Sequence, residues 1–124
     1  MVDPVGVATR LLIVDDHAGF RQFARMMLSC EGFEVTDAVA DGESALDAVR
    51  EQHPDVVLLD VQLPGIDGFE VAERLAAGPV PPKVVLTSSR SACDYGTRLQ
   101  RVHASGFLPK QEVSGQAITA LATA

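Results

Sequence analysis

The chain of 124 residues has no tryptophan, only two lysines (Lys83 and Lys110) and only two cysteines (Cys30 and Cys93). The cysteines sit far apart without CxxC spacing, which excludes a disulfide scaffold and a Cys/His zinc site and leaves two free thiols. No apolar run approaches the ~20 residues of a membrane-spanning helix. The N-terminal MVDPVGVATR lacks the charged-then-apolar pattern of a secretion signal, so a cytoplasmic protein is expected. Basic residues are outnumbered, 17 acids to 10 bases, for a formal charge of −7. That field repels phosphate backbones, so direct nucleic-acid binding by this chain is not expected. His17, His53 and His103 are dispersed and read as surface or helix-end residues.

What is present describes a packed globule. Hydrophobic residues make up 47% of the chain and charged residues 22%, and the length suits one domain. Aliphatic runs at Leu11–Val14, Val56–Leu59 and Val84–Leu86, with weaker ones at Glu34–Val39 and Gly106–Leu108, read as strands. Between them lie segments with helical spacing. Phe20, Phe23, Ala24, Met27 and Leu28 form one stripe, stopped at Gly32. A second helix starts from Asp41 as N-cap and ends before Pro54, and a third spans Gly68–Ala77 before the breaker cluster GPVPP. Tyr95, Leu99 and Val102 give a thinner fourth stripe, and Val113, Ala117, Ile118 and Leu121 a fifth. Continuous apolar strands joined by crossover helices predict a doubly wound α/β domain with a parallel sheet covered on both faces.

In such a sheet the binding crevice lies beyond the carboxyl ends of the strands. Asp15 and Asp16 come directly after the first run, Asp60 ends VVLLD, Thr87 to Ser89 close VVLTSS, and Lys110 closes GFLPK. Taken singly, each has a plain reading: a helix cap for Asp15 or Asp16, a turn for Asp60, a strand residue for Thr87, a solvated end for Lys110. Together they put three acids, a hydroxyl and a rare lysine at one sheet edge. Three crowded carboxylates need a cation, and an oxygen-only set suits Mg²⁺, whose remaining positions phosphate oxygens can fill. Lysine and threonine then meet the remaining charge of a phosphoryl group, and a carboxylate can be its nucleophile.

The set VDD, LLDVQLPGIDG, VVLTSS and GFLPK resembles the receiver domain of two-component response regulators over nearly the whole chain, with an ending like those of LuxR/NarL-type regulators. The resemblance implies a (βα)5 flavodoxin-like fold with strand order 2-1-3-4-5, an order that comes with the family. It implies one receiver domain over 1–124, with a core of about 9–122 and no output domain. Asp60 matches the phosphoacceptor, phosphorylated by a histidine kinase or phosphotransfer protein in a Mg²⁺-dependent reaction. Asp16 matches the direct metal ligand, Asp15 its neighbour acting through water, and the backbone carbonyl of Gln62 the third protein ligand. Thr87 matches the switch hydroxyl, Lys110 the phosphoryl-pairing lysine and Phe107 the switch aromatic. Gln62 and Ser89 fall where the family tunes acyl-phosphate lifetime. A downstream protein or output domain is the implied partner, and homodimerisation is compatible with the family.

The chain departs from the family in Pro109-Lys110-Gln111. Many receivers place proline after the lysine, with a cis bond that directs it; here proline precedes it, which fits a strand at the sheet edge. Three other readings stand beside this signalling switch, which turns over no external substrate. A dehalogenase-like phosphatase needs a second Asp two residues after the first, where this chain has Gln62. A phosphorylation-independent scaffold typically loses groups that this chain keeps. The chain also fits, equally well, a complete stand-alone receiver or the receiver half of a truncated DNA-binding regulator.

Overall fold

Strands that are apolar at every position need cover on both faces, and the helices supply it. A computed structural model describes residues 8–123; the N-terminal stretch read for a targeting signal lies, through residue 7, outside them. Strands β1 (Arg10–Val14), β2 (Glu34–Val39), β3 (Val56–Asp60), β4 (Lys83–Ser88) and β5 (Gly106–Pro109) alternate with helices α1 (Ala18–Cys30), α2 (Gly42–Gln52), α3 (Gly68–Ala76), α4 (Arg98–Arg101) and α5 (Gly115–Ala122). Every strand pair is parallel and the order is β2-β1-β3-β4-β5. The doubly wound, flavodoxin-like sheet expected from the sequence is therefore the fold.

Alternation along the strands splits the core in two. Leu12, Val14, Val57, Leu59, Val84 and Leu86 pack with Ala45 and Val49 of α2 and Val71, Ala72 and Leu75 of α3. Leu11, Ile13, Val56, Leu58 and Val85 pack with Ala24 and Leu28 of α1 and Ile118 of α5. Each fully buried Leu, Ile or Val contributes about 1.5–3 kcal/mol through surface removed from water. This is why the central strands tolerate carboxylates at their ends.

Local signals set the helix boundaries. Asp41 caps α2 by accepting the Ser44 N–H at 2.8 Å, and Asp67 caps α3 by accepting that of Glu70 at 3.0 Å. At the end of α1, Gly32 N–H donates to Ser29 and Phe33 N–H to Leu28, closing the last carbonyls. Pro109 sits in β5, at the sheet edge as expected.

Three readings of the sequence need correction. The Tyr95–Leu99–Val102 stripe does not form one helix: a 3-10 turn (Ala92–Asp94) is followed by the single turn of α4. Gly96, at φ +58°, lies between them in the left-handed region, outside the right-handed helix. The three side chains still pack against the core. Phe23 is 59% exposed, because the buried face of α1 centres on Ala24 and Leu28 and leaves Phe23 beyond its edge. Finally, neither acid of the Asp15–Asp16 pair caps α1. Its N-cap is His17, which makes no side-chain cap bond, and Asp15 Oδ1 instead accepts the His17 N–H at 2.8 Å.

Candidate functional site at the carboxyl edge of the sheet

The register of the strands assembles the site. Val14 pairs with Leu59, so Asp15 and Asp60, each one residue further on, emerge side by side. Asp60 pairs in turn with Thr87 on β4, and Lys110 comes after β5 in a 3-10 turn. The structure thus brings Asp15, Asp16, Asp60, Thr87 and Lys110 together. Asp15, Asp60 and Thr87 are buried, while Asp16 is exposed at the mouth.

The electrostatics are unfavourable as they stand. Burial first, and then the neighbouring charge of Asp15, push the Asp60 carboxyl up from 3.8 to about 6. The Gln62 N–H, donating to Oδ1 at 3.1 Å, and the Lys110 ammonium pull the other way. Two buried polar atoms, Asp15 Oδ2 and Thr87 Oγ1, have no hydrogen-bond partner. A buried carboxylate oxygen without a hydrogen bond, beside a second buried carboxylate, fits a hard divalent cation, which would satisfy the one and stabilise the ionised form of the other. Asp15, Asp16, His17 and Asp60 each offer one ligand atom, all within 4.8 Å of one another.

Lys110 is oriented without a cis bond; none occurs among the described residues. Its Nζ lies 2.8 Å from Asp15 Oδ2 and 3.6 Å from Asp60 Oδ2. The first is an ion pair off the line of a hydrogen bond, which is why Asp15 Oδ2 still lacks a partner. The same ammonium sits 3.4 Å from His17 Nδ1 and 4.8 Å from the centre of the Phe20 ring. These contacts, from the N-cap and the first turn of α1, flank the lysine over the acids.

Phe107 is half-buried on β5 and packs on the core beside Tyr95, ring centres 6.1 Å apart and edge to face. Tyr95 makes a similar contact with Phe69 at 5.6 Å, and its hydroxyl hydrogen-bonds Ser88 Oγ at 2.6 Å. Thr87 is therefore linked through its neighbour Ser88 and Tyr95 to Phe107. Gln62 and Ser89 are exposed, in the loops after β3 and β4.

Three members of this site escape a reading of the sequence. The pattern puts His17 at the surface and Phe20 in a core stripe, yet both touch Lys110. Tyr95 stands out only as part of a stripe. The one local signal is His17 directly behind the acid pair; the other contacts are long-range and leave no local pattern.

Residues 11–122 match the family described as response regulator receiver domain. The DNA-binding response regulator MtrA of Mycolicibacterium paratuberculosis is 44% identical over 85 residues, covering 68% of this chain and 37% of that protein. The response regulator GacA of Pseudomonas aeruginosa is 37% identical over 102 residues, 82% of this chain and 48% of that protein. The chain thus spans half or less of the length of these curated relatives. Among solved structures, the signal receiver domain of NarL from Mycobacterium tuberculosis superposes with a TM-score of 0.82 at 30% identity, covering 92% of this chain and 93% of that one.

Proposed function

The chain belongs to the response regulator receiver domain family, and from that membership we propose that it is a phosphorylation-controlled switch with Asp60 as phosphoacceptor. The observation that carries the proposal is the buried Asp60 carboxylate, paired in register with Thr87 and faced by Asp15 and Lys110. The donor is a phosphohistidine of a kinase or phosphotransfer protein. An Asp60 oxygen attacks phosphorus; the O–P bond of an acyl phosphate forms as the P–N bond breaks, and the electron pair stays with the donor imidazole. Hydrolysis returns the carboxylate and inorganic phosphate, with water supplying the oxygen.

Asp16, Asp60, the Gln62 carbonyl and, through water, Asp15 would hold a Mg²⁺ ion. When bound, the ion supplies neutralisation of the charge on the transferring phosphoryl group. The protein's own part is positioning. Lys110 swings from Asp15 toward a phosphoryl oxygen, and the unpartnered Thr87 hydroxyl donates to another. Moving Thr87 draws on Ser88 and Tyr95, and through Tyr95 on Phe107, which changes the β5 surface offered to a downstream protein or output domain. Gln62 and Ser89, in the loops beside Asp60 and Thr87, control how water reaches the acyl phosphate.

MtrA is a DNA-binding response regulator and extends well beyond the matched region. This supports a reading in which the chain acts as the regulatory part of a longer regulator, in the cytoplasm typical of the receiver family. No helix among the described residues is long and apolar enough to cross a membrane.

Tyr95 is the single tyrosine and tryptophan is absent, so ultraviolet-excited emission reports on the switch directly. Beryllofluoride with Mg²⁺ is expected to change Tyr95 fluorescence in the native protein and not in Thr87→Ala. An unchanged native signal would overturn the switching route through Tyr95.

A further inference from the structure

We propose that His17 is a ligand of the cation held in this pocket, and that it turns the pocket's preference from Mg²⁺ toward a borderline divalent ion such as Mn²⁺. The inference rests on the pocket being a cation site, and adds a nitrogen to its oxygen donors.

The ring stands where a ligand would. His17 is the N-cap of α1, yet its side chain makes no cap bond, so the helix does not use the imidazole. Its Nδ1 instead lies 3.2 Å from Asp15 Oδ1, a hydrogen bond at rest, and 3.2 Å from Asp16 Oδ1. Adjacent ligands around a six-coordinate ion with bonds of ~2.1–2.2 Å stand roughly 3.0 Å apart, and opposite ligands roughly 4.3 Å. The 3.2 Å spacings are those of adjacent positions. The 4.8 Å limit on the whole group of four ligand atoms leaves only a small closure to complete it.

A second observation marks where positive charge belongs. The Lys110 ammonium lies 2.8 Å from Asp15 Oδ2, 3.4 Å from His17 Nδ1 and 3.6 Å from Asp60 Oδ2. Lysine thus stands among three of the four groups, in the place of a cation. Asp15 Oδ2, wholly buried, still has no hydrogen-bond partner there. An ion that displaces Lys110 takes over the charge of Asp15 Oδ2, through a bound water, and meets the imidazole lone pair beside it.

Ligand chemistry supplies the preference. Mg²⁺ is hard, favours oxygen and parts reluctantly with water, whereas imidazole suits borderline first-row ions. Binding through Nδ1 leaves the ring proton on Nε2. The ring is two-thirds exposed, its side chain 67% accessible, so replacing it removes a ligand without opening the core.

The test uses the full chain with Mn²⁺ alone, and no phosphodonor. Pulsed electron paramagnetic resonance of bound Mn²⁺ should show coupling to a ¹⁴N nucleus, absent in His17→Ala. Calorimetric titration should show that this substitution weakens Mn²⁺ binding about tenfold or more, while Mg²⁺ affinity changes less than about twofold. Bound Mn²⁺ without nitrogen coupling, or equal losses for both ions, overturns the role of His17 and leaves the cation site standing. Failure of both ions to bind the native protein overturns the cation site, and this inference with it.

Discussion

Lys110 stands closer to Asp15 than to Asp60: Nζ is 2.8 Å from Asp15 Oδ2 and 3.6 Å from Asp60 Oδ2. The lysine proposed to pair with the phosphoryl group is therefore engaged at rest with one of the acids proposed to hold the cation. On the proposed function, its charge would compete with a divalent cation for the same oxygens.

Lys110→Met should accordingly tighten Mg²⁺ binding, by roughly three- to tenfold, or about 1 kcal/mol after solvent screening. Calorimetric titration reads this directly. Weaker binding in the variant would mean that Lys110 organises the acids rather than competing for them.

Asp60 should cost the metal-free fold stability near neutral pH. A carboxyl displaced from 3.8 to about 6 binds its proton more readily folded than unfolded. Stability then falls as pH rises from about 4 to about 6, and stays lower above. The displacement corresponds to at most ~3 kcal/mol, and solvent at the mouth of the pocket reduces this to about 1–2 kcal/mol. Asp60→Asn removes the charge. It should raise the midpoint of thermal unfolding at pH 8 in chelator, with the gain shrinking toward zero near pH 4. A gain independent of pH would assign the effect to packing.

The Phe20 ring lies 4.8 Å from Lys110 Nζ and, on the proposed function, helps to orient the lysine. Phe20→Leu keeps the apolar bulk and loses the π face. A contact of about 0.5–1 kcal/mol predicts a two- to fivefold lower steady-state level of phosphorylated protein. Denaturant unfolding should shift by less than about 1.5 kcal/mol. An unchanged phosphoryl level would leave Lys110 positioned by the acids alone.

Two glycines should respond in opposite directions to alanine. A Cβ at Gly68 would lie 2.3 Å from the Asp60 carbonyl oxygen and 2.7 Å from Val61 Cα, backbone atoms at the end of the strand that carries Asp60. A Cβ at Gly19, in α1, meets nothing within 4 Å. Gly68→Ala should destabilise by about 1–3 kcal/mol, and Gly19→Ala should stabilise by about 0.5–1 kcal/mol. Urea titrations of the pair compare the two.

Much of this was legible in the chain because it depends on local pattern plus one topological rule. Leu11–Val14, Val56–Leu59 and Val84–Leu86 are apolar without interruption, and the residues just past the carboxyl ends of such strands must meet at one edge. That rule alone gathers Asp15, Asp16, Asp60, Thr87 and Lys110. Where the pattern is thinner, other forces decide. Gly96 breaks the fourth helix although the stripe around it is regular. Phe23 fits a helical period yet lies beyond the face set by Ala24 and Leu28. His17 and Phe20 meet Lys110 from the far end of the chain, and no local spacing encodes that approach.

The central claim is that Asp60 accepts a phosphoryl group with the help of a divalent cation. Intact-mass measurement after incubation with acetyl phosphate and Mg²⁺ tests it most directly. The account predicts one added phosphoryl group on the native chain, none when Mg²⁺ is chelated and none in Asp60→Asn. Undiminished phosphorylation of Asp60→Asn, or a native chain that remains unmodified with Mg²⁺ present, would contradict it.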